Sequence, residues 1–170
     1  MPRSPSQHCD EFELVYALGK HGWSDLYLII SGEVHEFRIT HVMSDPMDDL
    51  IDLCSSLLDR RDCWIRLCDE PGATLITTTI NRQQRHLVDL SIFDSDDWEK
   101  PPEAADLQIS VTTKATLLIN QIVYQFHKVQ ALCSEKSYAR DRDEFPHRAF
   151  RELIGKWETS ANRSSSTKTG

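Results

Sequence analysis

The chain has 170 residues, 19 Lys/Arg against 27 Asp/Glu and a formal net charge of −8, which is enough for one domain with one core and too little for a second. Residues 1–60 hold four Lys/Arg against eleven Asp/Glu, a net of −7, so the acidity belongs to the first third. That sign repels phosphate backbones, arguing against a nucleic-acid partner, and attracts a basic protein; a solvated face that keeps the chain soluble is the plainer account.

The N-terminal Met-Pro-Arg-Ser-Pro-Ser-Gln has no apolar stretch of the kind a secretory leader carries, and residues 1–10 are expected to be flexible. Nothing approaches the roughly 18 consecutive apolar residues of a membrane span, so the expected location is the cytoplasm. Glu11 to Leu18 opens with alternation and strand formers and ends at Gly19 and Gly22. Asp25 to Ile30 and Glu33 to His41 flank Ser31-Gly32, a two-residue connection that predicts a tight hairpin. Asp45-Pro46 supplies a side-chain cap and a proline at the first helical position. Met47, Leu50, Ile51, Cys54, Leu57 and Leu58 then recur at spacings of three and four, predicting a helix with one buried stripe. Asp48, Asp49, Asp52 and Asp59 fall on its other side, the first two near the positive end of the helix dipole, which alone could explain them.

Cys63 to Cys68 and Ala73 to Ile80 read as strands joined through Asp69-Glu70-Pro71-Gly72, a type II pattern in which Gly72 supplies the positive φ. Trp64, inside the first of them, is expected in the core. Arg85 to Phe93 alternates as a further strand, and the acidic stretch from Asp94 to Ala105 with Pro101-Pro102 reads as an exposed loop carrying Trp98. Leu107 to Val111 is a short strand, and Thr112 or Thr113 is placed to cap a long helix. Its stripe is Ala115, Leu118, Ile119, Ile122, Phe126, Val129 and Cys133, widened by Leu117, Val123, Tyr124 and Leu132. A last helix covers His147 to Trp157, and residues 158–170 are polar enough to be disordered. Strands linked by tight turns cannot run parallel. The expected fold is therefore a single α+β domain over residues 11–157: a mainly antiparallel sheet of about six to seven strands, one inserted helix, and C-terminal helices packed on one face.

Catalytic signatures are missing. His35-Glu36 and His41 lie on a strand without the one-turn spacing of a zinc motif. The five cysteines include no CxxC pair and, being odd in number and set in apolar runs, suit buried thiols. Gly22-Trp23-Ser24-Asp25-Leu26 lacks the second glycine of a nucleophile elbow, and Gly19-Lys20-His21-Gly22 lacks the phosphate-loop spacing. No cofactor or metal is expected. The binding candidates are Asp48, Asp49, Asp52 and Asp59 on the first helix, and Trp98 among Asp96, Asp97 and Glu99, an aromatic amid acids that suits a basic partner. A competing reading is a small-molecule or hydrolytic enzyme whose pocket draws on His21, His35, His41, Arg38 and Arg66.

Gly22-Trp23 with its hairpin, the Asp45-Pro46 helix and the Asp69-Glu70-Pro71-Gly72 turn resemble, over residues 14–155, a group of uncharacterised bacterial α+β proteins, some of them similar to immunity proteins of bacterial toxin systems. Those proteins carry an aromatic on either side of the proline-glycine turn, where this chain has Cys68 and Leu75. The resemblance implies a protein that binds and blocks a toxin, and nuclease toxins present basic clefts that an acidic surface would suit.

Overall fold

The computed structural model describes residues 7–69, 72–95, 103 and 106–166. Its strands are β1 (Gln7–His8), β2 (Phe12–Leu18), β3 (Ser24–Ile30), β4 (Glu33–Ile39), β5 (Cys63–Cys68), β6 (Ala73–Ile80), β7 (Leu87–Ser95) and β8 (Leu107–Lys114). Its helices are α1 (Pro46–Leu58), α2 (Ala115–Cys133), the single-turn α3 (Lys136–Ala139) and α4 (His147–Ser166). No helix is long and apolar enough to cross a membrane among the described residues.

The fold is α+β and antiparallel apart from the β1–β8 pair, but the expected single sheet is two: β2-β3-β4, and β1-β8-β7-β6-β5. The break falls at α1. A tight turn returns a strand beside its predecessor, whereas a helix between β4 and β5 carries the chain away from that edge. Thr40 N–H donates to Cys68 C=O at 2.7 Å and ties the end of β4 to β5.

The local signals hold where short-range chemistry decides. Ser31 and Gly32 both take positive φ (51° and 84°), the hairpin geometry expected for a two-residue loop. Asp45 caps α1 by accepting from Met47 N–H at 2.8 Å, with Pro46 opening the helix. Elsewhere longer-range pairing overrides them. Gln7–His8, placed in the flexible N-terminus by composition, pairs in parallel with Val111 and Thr112, and Cys9 N–H continues onto Thr112 C=O. Neither Thr112 nor Thr113 caps α2, because β8 runs through both to Lys114 and the Thr112 hydroxyl donates to the Asp89 carboxylate. Gly72 does not adopt positive φ; an added Cβ would lie 2.6 Å from Ser95 O, so glycine is required there by close approach. Glu70 and Pro71 of that turn lie outside the described residues. Helix α4 continues past Trp157 to Ser166, into the stretch expected to be disordered.

Both sheets and the buried stripes of α1, α2 and α4 meet in one hydrophobic cluster. Leu14, Tyr16, Leu26 and Leu28 come from the smaller sheet, Ile65, Leu67, Ile76, Leu90 and Ile92 from the larger, and Leu118, Ile122, Phe126 and Val129 from α2. Tyr124, expected to widen the α2 stripe, is exposed and sets its ring edge-on to Trp157 at 6.1 Å.

Sheet edges position the site, since an unpaired strand edge offers backbone donors and acceptors to any neighbour. At β8 the edge is taken by β1. At β2 it is covered from α2: Tyr16 N–H donates to Gln125 Oε1 at 3.4 Å, and Tyr16 C=O accepts from Lys128 Nζ at 2.8 Å. The outer edge of β5 is treated differently.

Candidate functional site

Strand β5 ends the larger sheet, and α1 packs beside it. Its parity places Cys63, Ile65 and Leu67 on one face and Trp64, Arg66 and Cys68 on the other. Between the flank of α1 and this strand runs an open groove of about 550 Å³. Asp49, Asp52, Ser55 and Ser56 form its helix wall, and Trp64 and Arg66 are prominent on the strand side; with Arg61, which also lines it, two arginines share the groove with the two carboxylates. Trp64 is 56% exposed, which corrects its expected place in the core. The signal was present in the sequence, because strand alternation puts Trp64 on the face of Arg66 and opposite Ile65. The Arg66 guanidinium stands 5.3 Å from the centre of the Trp64 ring, a cation–π contact on the exposed indole.

The α1 aspartates separate into two roles. Asp49 and Asp52 line the groove and Asp48 is exposed one turn before Asp52. Burial first, then the charges of Asp45 and Asp52, raise the pKa of Asp48 above the ordinary carboxylate value. Asp49 is raised in the same way, by burial and then by Asp45, Asp52 and Asp48, against a hydrogen bond from Ser44. Its Oδ2 is buried and accepts no hydrogen bond among the described residues. Asp59 is different: Lys156 and Arg61 each reach it at 3.2 Å, and the Lys156 hydrogen bond leads in holding its carboxyl below the usual range. It ties α4 to the end of α1 and does not belong to the groove. Asp96, Asp97, Trp98 and Glu99 lie outside the described residues.

No family model, curated protein or solved structure matches this chain.

The residues of the competing enzyme reading do not converge. His21 is exposed beside Asp141 at 3.6 Å, and His41 Nδ1 sits 3.0 Å from Gly22 O. Arg38 donates to Asp25 at 3.2 Å and lines, with His35, an open cleft beside β4. Arg66 stands in the α1–β5 groove. Of the two groove thiols, Cys68 is buried and its pKa is raised by that burial, the reverse of an activated nucleophile.

The acidity of Asp49 makes a stability prediction. A carboxyl whose folded pKa exceeds its unfolded one binds protons more readily when folded, so its contribution to stability falls as pH rises through the folded value. Asp49→Asn is therefore expected to raise the urea midpoint at neutral pH, with the gain closing as pH drops below the ordinary carboxylate value of about 4. An unchanged or lower neutral-pH midpoint would mean that the Ser44 hydrogen bond outweighs burial and like-charge repulsion.

Proposed function

We propose that this chain is a non-catalytic protein-binding module whose α1–β5 groove receives a basic partner. The observation that carries this reading is the juxtaposition of Asp48 and Asp49, whose ionised forms are disfavoured by burial and by neighbouring carboxylates, and of the adjacent Asp52, with the exposed Trp64. Such acids gain from an incoming cation, and an exposed indole supplies apolar contact area at little entropic cost. The resemblance to immunity proteins of bacterial toxin systems extends the reading: binding would occlude the basic cleft of a cognate toxin by charge and bulk. Its five free cysteines suit the reducing cytoplasm, where we place it.

The test is affinity capture of tagged wild-type protein and the triple variant Asp48→Lys, Asp49→Lys, Asp52→Lys from native lysate, at low and high salt, with bound species identified by mass. A stoichiometric basic protein is expected on the wild type, released by salt and reduced at least about tenfold on the variant. Equal capture by both proteins would sink the reading.

A further inference from the structure

We propose that the outward face of the smaller sheet is a second interaction surface, separate from the α1–β5 groove, and that it receives a basic amphipathic helix. Strand parity divides β2, β3 and β4 into two faces. Leu14, Tyr16, Leu26, Leu28, Phe37 and Ile39 share the inner one, where they join the hydrophobic cluster or pack against it. On the other face the strand register sets Ala17 and Val15 of β2, Tyr27 and Ile29 of β3 and Val34 of β4 side by side in a diagonal apolar band. None of these five belongs to the cluster or packs against it among the described residues. Val34 is 61% exposed, and the other four are half-buried.

The central strand carries the sequence of a covered element. An antiparallel strand with one wet face alternates apolar and polar residues, whereas a strand buried on both faces is apolar throughout. Strand β3 contains the run Leu26-Tyr27-Leu28-Ile29-Ile30, yet its Tyr27 and Ile29 face outward beyond the cluster. Charge chooses the occupant. Glu13 flanks the band on one side, opposite Ile29, and Asp25 and Glu36 flank it on the other, opposite Ala17 and Tyr27. Arg38 is the one base on this face, and it is already engaged: its Nε donates to Asp25 at 3.2 Å and a terminal nitrogen lies 4.0 Å from Glu36. Three carboxylates against one guanidinium leave the face acidic on both sides of the band. The band crosses two strand spacings and four residues, about 17 Å, a length an α-helix covers in about eleven residues. A helix with an apolar stripe at three- and four-residue spacing and lysine or arginine on both margins sets its stripe on the band and a cation toward each carboxylate flank. A second copy laid face to face would instead bring acid against acid on chains of net charge −8.

The probe is a capped, side-chain-stapled helical peptide with a leucine stripe flanked by lysines, titrated into the full-length protein by calorimetry. Its companions are a scrambled peptide of the same composition and one with the same stripe but glutamate in place of lysine. The striped lysine peptide is expected to bind and to be released by salt, with the scrambled and glutamate forms at least about tenfold weaker. Ile29→Thr with Val34→Thr, which keeps β-branched side chains in the strands, is expected to weaken binding about tenfold, and Glu13→Lys with Glu36→Lys to do the same. Asp49→Asn with Asp52→Asn, in the groove, is expected to leave it unchanged. Binding that is lost in the groove variant and kept in both face variants overturns the second surface and leaves the groove reading standing. No binding of the striped lysine peptide, or equal binding of the scrambled or glutamate form, overturns the basic helix as occupant. Sedimentation supplies the remaining outcome: a dimer of the free protein abolished by Ile29→Thr with Val34→Thr gives the face to a second copy and overturns the proposal.

Discussion

Phe126→Ala is expected to cost about 3–5 kcal/mol of folding stability, the range for removing a fully buried aromatic ring. The ring is completely buried and holds three edge-on contacts: to Tyr16 at 5.9 Å, Phe150 at 6.0 Å and Phe145 at 6.4 Å. Those partners stand on β2, on α4 and just before α4, so one side chain of α2 couples the smaller sheet to the C-terminal helix. Closure of the vacated space would require two elements to move together, and rigid packing limits such relaxation. Urea unfolding at neutral pH is the measurement, with the midpoint lowered and the slope unchanged. A loss near 1 kcal/mol would instead mean that α4 collapses easily onto α2, and that the aromatic cluster is a loose seam.

Arg142→Ala is expected to cost about 2–4 kcal/mol, since it leaves several acceptors without their charged donor. The guanidinium donates to Gly19 C=O, to Trp23 C=O at 2.8 Å and to the Ser24 hydroxyl at 3.1 Å, closing the turn between β2 and β3 from a segment distant in sequence. His21 and Gly22 in that turn, and Asp141 beside Arg142, all adopt positive φ, so the two segments are held in conformations that need an outside tie. A Cβ on Gly22 would fall within 2.6 Å of Asp141 O and nearer still to the His41 ring, which shows how closely the segments are pressed. Arg142→Lys should recover only part of the loss, because an ammonium cannot reproduce the planar fork that spans three acceptors. Thermal unfolding of the two variants separates the cases; equal stability of Arg142→Lys and wild type would reduce the role of Arg142 to its charge. The nearby Tyr16 phenol, pushed up to about 12 by burial, is neutral at neutral pH and adds no pH dependence there; its contribution to stability is lost only as pH rises above the ordinary tyrosine value of about 10.

What could be read from the residues alone was what is set within a few positions along the chain. The Asp45-Pro46 cap, the apolar stripe of α1, the Ser31-Gly32 hairpin and the stripe of α2 are legible because helix and turn geometry depend on neighbours three or four residues away, and so are the α+β class and the antiparallel pairing that tight turns impose. Half of the groove was legible too, in the aspartates on the polar side of α1. The tertiary structure decided the rest. That the strands divide into two sheets, that Gln7–His8 becomes a strand beside β8, and that Gly72 is required by Ser95 instead of by its own φ are outcomes of contacts between distant segments. The same holds for the aspartates: Asp49 and Asp52 share a groove with Trp64, while Asp59, chemically identical, is consumed by Lys156 from the last helix. Periodicity states which face of an element is polar; only packing states which polar groups are paired off and which are left lining a groove.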